Sequence, residues 1–217
     1  MPVLWRREAA TRVYHRPPVR GVPAGDRGNS HSVRLMTAPH DIPPLISAAR
    51  IRRRVLALAV EIAGDYGQAD FSIVTILKGG FVFTADLIRA LAGLNVHPIV
   101  DFVTFSSYGA GTTSSRQVTL KQELSLPVKG LRILLIDDIL DTGLTTLTAK
   151  RLLLEQGAAE VRVCVLLDKP SRREVSITAD YTGFEIDNVF VVGYGLDFNN
   201  RYRELPDLKV LTPDSPS

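Results

Sequence analysis

Four short apolar runs constrain this chain more than anything else in it: FSIVTIL (71–77), HPIVDFVTF (97–105), LRILLI (131–136) and VRVCVLL (161–167). They read as strands, apolar throughout, as expected where helices cover both faces of a sheet. Between them lie segments with helical spacing. ISAARIRRRVLALAVEIAGDYG (46–67) repeats apolar residues at Ile51, Val55, Leu58 and Ile62; FVFTADLIRAL (81–91) follows the first strand; LTTLTAKRLLLEQG (144–157) is closed by Gly157. Strands alternating with helices predict right-handed βαβ units and an α/β domain, a central parallel sheet flanked by helices. The 217 residues suffice for one domain with a real core. No internal repeat is visible. SSYGAGTTSSRQ (106–117) is expected as a long, flexible loop of small residues.

Residues 1–35 differ from the rest. They hold seven arginines (6, 7, 12, 16, 20, 27 and 34), two acids (Glu8, Asp26) and no lysine, and seven of the thirteen prolines fall within residues 1–44. A disordered Arg/Pro-rich extension is expected there, followed by one domain over 36–217. An organelle-targeting peptide is an open alternative, although the prolines oppose the amphipathic helix it needs, and Met36 is an alternative start. The whole chain carries +3; residues 1–35 account for +5, so 36–217 carry −2. That domain charge gives no support to nucleic-acid binding. No apolar run approaches the roughly 18–20 residues of a membrane span. The lone cysteine, Cys164, excludes an internal disulfide framework and fits a reducing, cytoplasmic compartment, with Cys164 itself a buried hydrophobe.

The third run ends in LLIDDILDTGLTT (134–146), with two adjacent acids, Asp137 and Asp138, then Asp141, Thr142, Gly143 and Thr145. In open α/β sheets, ligands sit beyond the carboxyl ends of the strands. DTGLTT opens a helix whose free N–H groups and positive dipole end suit a phosphate, while Gly143 permits close backbone approach and Thr142 and Thr145 add hydroxyls. No Walker A pattern is present. Carboxylates beside a phosphate repel it unless hydroxyls or a divalent cation come between. A ribose phosphate satisfies that condition, its hydroxyls on the acid pair and its 5-phosphate on the loop.

This stretch resembles the phosphoribosyl-diphosphate (PRPP) motif of the type I phosphoribosyltransferases. VTILKGGFVFTADLIRAL, VDFVTFSSYG, VCVLLDKPSRR and FVVGYGLDFNNRYRELP narrow the resemblance to the hypoxanthine/guanine branch, bacterial type, over about Leu45–Leu211. The resemblance implies a type I fold with a small hood made by the N- and C-terminal segments. It implies transfer of 5-phosphoribosyl from PRPP to a 6-oxopurine, with Mg²⁺ as cofactor and a homodimer or homotetramer as assembly.

Residue by residue, it implies that Asp137 and Asp138 bind ribose hydroxyls directly or through metal, and that Thr142, Gly143, Leu144 and Thr145 hold the phosphate. The backbone at Lys78 and Gly79, after a cis peptide bond, and the Arg203 side chain take pyrophosphate. Asp141 serves the purine near N7 as general base or acceptor. Lys169 reads O6, Phe190 stacks on the purine, and Val191 and Leu196 complete the base site. Asp197 holds Mg²⁺, and Ser107 and Tyr108 close over the transition state, excluding water. Arg172 and Arg173 are expected in solvent. Two departures stand out: Asp137 replaces a frequent glutamate, and Leu144 stands where other members carry lysine or arginine. A regulatory PRPP-binding protein of the same fold, and an enzyme with another acceptor such as xanthine alone or adenine, are the alternatives; Lys169 argues against adenine but not against xanthine.

Overall fold

The computed structural model describes residues 43–67, 69–108, 117–122, 124–125 and 127–211. The extension over 1–35 and the loop tip 109–116 therefore lie outside the described residues.

Helix α1 (Ala48–Tyr66) turns its Ile51, Val55, Leu58 and Ile62 inward and ends at Gly67, whose φ of 58° admits the left-handed region. Then follow β1 (Ser72–Leu77), α2 (Phe81–Ala92), β2 (Ile99–Tyr108), β3 (Gln117–Gln122), β4 (Arg132–Leu140), α3 (Leu144–Glu155) and β5 (Glu160–Asp168). A 3-10 turn over Pro170–Arg172 leads to β6 (Tyr181–Glu185), and β7 (Val191–Val192) and β8 (Lys209–Val210) close the chain.

Six strands make one sheet in the order β3-β2-β1-β4-β5-β6, parallel except for the antiparallel β2–β3 pair. Side chains of β4 alternate between faces. Leu134 and Ile136 join Ile73, Cys164 and Leu166 beneath α1 and α2, whereas Ile133 and Leu135 join Val74, Val163 and Val165 beneath Ala149 and Leu153 of α3. Helices thus cover both faces, which is why the central strands are largely apolar on both sides. The β7–β8 pair forms a hood, and Ile46 and Leu208 exchange two backbone hydrogen bonds (3.2 and 3.0 Å), joining N- and C-terminal segments there. Tyr194 donates to Asp86 (2.6 Å), fixing the hood to α2.

The strand boundaries correct the expectations in two places. β4 does not stop at Ile136 but runs through both acids to Leu140. The segment 106–117 is not loop from its first residue: Ser107 and Tyr108 pair with Val118 and Gln117 as the end of a hairpin arm. β3, β6, β7 and β8 are short elements that the apolar-run criterion passed over.

Candidate active site

The strand order reverses direction between β1 and β4, and a crevice opens outside the carboxyl ends of two strands at such a point. β1 delivers Lys78, Gly79 and Gly80 there, and β4 delivers Asp137, Asp138 and Asp141. The Leu77–Lys78 peptide bond is cis. A side chain at Gly79 would overlap the Asp138 carboxylate, and one at Gly195 would overlap the Gly79 carbonyl. Glycine at both positions lets the β1 turn, the acid pair and the hood meet.

The two acids are adjacent on β4, and their carboxyls interact with each other. Asp137 is buried on the α3 side, where its Oδ2 accepts from the Thr146 hydroxyl (3.0 Å) and its Oδ1 from the Asp138 N–H (3.0 Å). Burial, and then the charge on Asp138, push the Asp137 carboxyl well above the ordinary range, with the Thr146 hydroxyl opposing. Burial raises Asp138 as well, against its hydrogen bonds and the charge on Arg203. Asp137, Asp138, Asp141, Thr142, Gly143 and Thr145, together with Ile139 and Thr146, line one cavity of about 210 Å³. Leu144 does not line it. Thr146 escaped sequence reasoning, although it lies one residue beyond Thr145 and takes the buried acid. Gly143, at φ 86°, precedes α3, and the first intrahelical bond runs from Leu147 N–H to the Gly143 carbonyl (2.9 Å). The N–H groups of Leu144, Thr145 and Thr146 therefore come before the helical ladder, as orphan donors do; Leu144 N–H has a long 3.4 Å approach to the Thr142 hydroxyl.

Arg173 is not in solvent, contrary to expectation. Its side chain is 15% exposed; its guanidinium donates to the Leu140 carbonyl (2.8 Å) and the Asp141 carbonyl, and pairs with the Asp168 carboxylate. Arg172 is exposed, as expected, and its Nε donates to Asp141 Oδ1 at 3.2 Å. Lys169, 7% exposed, stands at the end of β5, its N–H donating to the Leu140 carbonyl (3.0 Å). Burial lowers its pKa, while the charge on Asp141 opposes and that on Arg172 adds to the shift. Lys169, Asp141 and Arg172 thus form one charged cluster above the β4 and β5 ends.

In the hood, Phe190 leaves 47% of its surface exposed and meets Phe198 edge to face at 5.8 Å, while Val191 and Leu196 are buried. Asp197 Oδ1 pairs with Arg203 at 2.5 Å, its Oδ2 accepts from Asn200 N–H (2.7 Å), and Arg203 also donates to the Gly195 carbonyl. Lys78 is exposed. Among the described residues no group of three or more His, Cys, Asp or Glu forms a ready metal cage. The oxygen donors of Asp137, Asp138 and Asp197 suit a hard cation that takes one or two carboxylates and completes its shell with phosphate oxygens and water. A larger cavity, about 570 Å³ between α1, α2 and the hood, includes only Arg203 of these residues, so size does not pick the site.

Residues 47–199 match the model of the phosphoribosyl transferase domain. The hypoxanthine-guanine phosphoribosyltransferase of Bacillus subtilis (strain 168) is 41% identical over 175 residues, 80% of this chain and 96% of that protein. The hypoxanthine phosphoribosyltransferase of Escherichia coli (strain K12) is 38% identical over 169 residues, 77% of this chain and 93% of that protein. Among solved structures, a hypoxanthine phosphoribosyltransferase from Staphylococcus aureus is 35% identical with a TM-score of 0.75, covering 80% of this chain and 94% of that one. By its sequence, its type I fold and the acid-threonine-glycine loop at its switch point, the chain belongs to the phosphoribosyl transferase family, in its hypoxanthine-guanine branch.

Proposed function

We propose that this protein transfers the 5-phosphoribosyl group of PRPP to N9 of hypoxanthine or guanine, releasing pyrophosphate and IMP or GMP, in purine salvage. The observation that carries this reading is the cavity lined by three acids, Thr142, Gly143 and Thr145, with the buried ammonium of Lys169 at the neighbouring strand end. The names of the relatives support the same acceptors.

In the reaction, N9 supplies the electron pair of the new C1–N bond, and the C1–O bond to pyrophosphate breaks with its electrons leaving on the diphosphate. Asp141 accepts the proton that the purine loses at N7. Asp137 and Asp138 bind the ribose hydroxyls and lie close to the positive charge that develops at C1. Thr142, Gly143, Leu144 and Thr145 hold the 5-phosphate through backbone N–H and hydroxyl groups. Lys169 donates to O6, which favours 6-oxopurines because an ammonium has no lone pair for a 6-amino group. Phe190 offers its open ring face to the base, with Val191 and Leu196 beside it. Lys78, Gly79 and Arg203 receive the pyrophosphate, and Ser107 and Tyr108 close over the site. Bound through Asp197, and through Asp137 and Asp138 on the ribose side, Mg²⁺ would neutralise diphosphate charge.

The exposed Phe81 on α2 and Leu56 on α1 support burial of apolar helix surface in a homodimer or homotetramer. The start of the family match at residue 47 supports reading 1–35 as an extension to the domain over 36–217. The lone buried Cys164 supports a cytoplasmic location. Chromatography of the products from PRPP, Mg²⁺ and hypoxanthine tests the function: IMP is expected. PRPP binding without nucleotide formation from any base would favour the regulatory alternative.

A further inference from the structure

Three successive carbonyls of the β4–α3 turn are held by the segment that follows Lys169. Arg173 receives those of Leu140 and Asp141 on its guanidinium, and the Glu174 N–H donates to the Thr142 carbonyl (3.0 Å). Asp168, paired with the same guanidinium, anchors the clamp to the end of β5. The segment also packs against the turn: a Cβ on Gly143 would come within 2.6 Å of Ile177 Cγ2 and 3.1 Å of Arg173 Cδ. A turn with three successive carbonyls tied to one side is left with the N–H groups of the same peptides for the other, and runs of such N–H groups bind anions. Free to rotate, the same peptides would present carbonyl oxygens to a phosphate.

We infer that Arg173 is a positioning residue for phosphate binding: it orients the Leu140 and Asp141 peptides, while the Glu174 N–H holds the Thr142 peptide, so that the turn into α3 is a preformed anion site. It touches no substrate. The inference rests on the function proposed above only in taking a ribose 5-phosphate group as the ligand. Arg173 and Lys169 sit on one short segment, so the strap also connects the reader of the base to the holder of the phosphate.

The test uses the full chain with Arg173→Met and Arg173→Lys, reading ribose 5-phosphate binding by calorimetry and steady-state KM for PRPP and for hypoxanthine. Arg173→Met is expected to weaken ribose 5-phosphate binding and raise the PRPP KM by on the order of 10- to 100-fold, with a much smaller change in the hypoxanthine KM. Arg173→Lys, which keeps the charge and some of the donors, is expected to recover part of the loss. If Arg173→Met does not fold, Arg173→Lys alone must show the selective PRPP effect. Equal changes in the two KM values, or unchanged ribose 5-phosphate affinity in a folded variant, would overturn the inference. Wild-type protein that binds ribose 5-phosphate Arg173-dependently, yet turns over no base, would support the strap and defeat the proposed function.

Discussion

Replacing Gly143 by alanine tests the turn at its tightest point. Two costs follow from the structure. At φ 86° an L side chain is strained, about 1–2 kcal/mol. The new methyl would also lie 2.6 Å from Ile177 Cγ2 and 3.1 Å from Val175 Cγ2, an overpacking worth about 1–3 kcal/mol. Together they predict a loss of about 2–5 kcal/mol for Gly143→Ala, read as a lowered urea midpoint at unchanged slope. The two parts separate in a double-mutant cycle. Ile177→Leu removes the offending Cγ2 branch at nearly constant volume, for less than about 1.5 kcal/mol by itself. In that background Gly143→Ala should keep its backbone cost and the milder Val175 contact but lose the Ile177 clash, giving a coupling of about 1–2 kcal/mol. A Gly143→Ala loss below about 1 kcal/mol, or strict additivity with Ile177→Leu, would refute the reasoning, because neither the left-handed turn nor the strap contact would then be as described.

Other outcomes follow from the same geometry. Asp141→Asn should lower kcat by about 10²- to 10⁴-fold while PRPP binding persists, as titration calorimetry would read; unchanged turnover would remove Asp141 from the chemistry. Asp137 is raised in the folded chain, so the folded state holds its proton more tightly than the unfolded state does. Its favourable contribution is present below the unfolded value, near 3.9, and is lost as pH rises through the folded one. Asp137→Asn, which cannot ionise, should therefore gain in Tm relative to wild type as pH rises from about 4 to 8, and a pH-independent difference would contradict this. Lys169→Met should cost about 10- to 100-fold in kcat/KM for hypoxanthine, with PRPP KM little changed. Because burial lowers the Lys169 pKa, the wild-type rate with hypoxanthine should fall on the alkaline side before the ordinary lysine range is reached.

The parallel sheet was legible because β1, β4 and β5 are buried on both faces over most of their length, so burial wrote itself into largely apolar runs. The end of β4 was not, since two acids look like a strand terminus. What keeps the backbone extended there is invisible in the linear pattern: Thr146 comes from the next helix to meet Asp137, and Gly79 comes from another strand to make room for Asp138. β6 hid for a similar reason. Its Gly183 weakens any propensity signal, yet a Cβ there would strike the Leu166 carbonyl, and Arg54 of α1 donates to the Gly183 carbonyl (3.0 Å). The acid-threonine-glycine loop could be read from residue chemistry, whereas Phe190 and Val191 look like ordinary strand and were reached only through resemblance. Arg173 reads as solvated in the sequence because nothing local separates a surface arginine from one whose acceptors, Leu140 and Asp141, lie 33 and 32 residues away.

Pyrophosphate release by the purified chain with PRPP and Mg²⁺, offered hypoxanthine, guanine, xanthine and adenine separately, tests the central claim most directly. Release is expected with hypoxanthine or guanine and not with adenine. Release with adenine would contradict Lys169 as the reader of O6, and no release with any base would contradict the transferase itself.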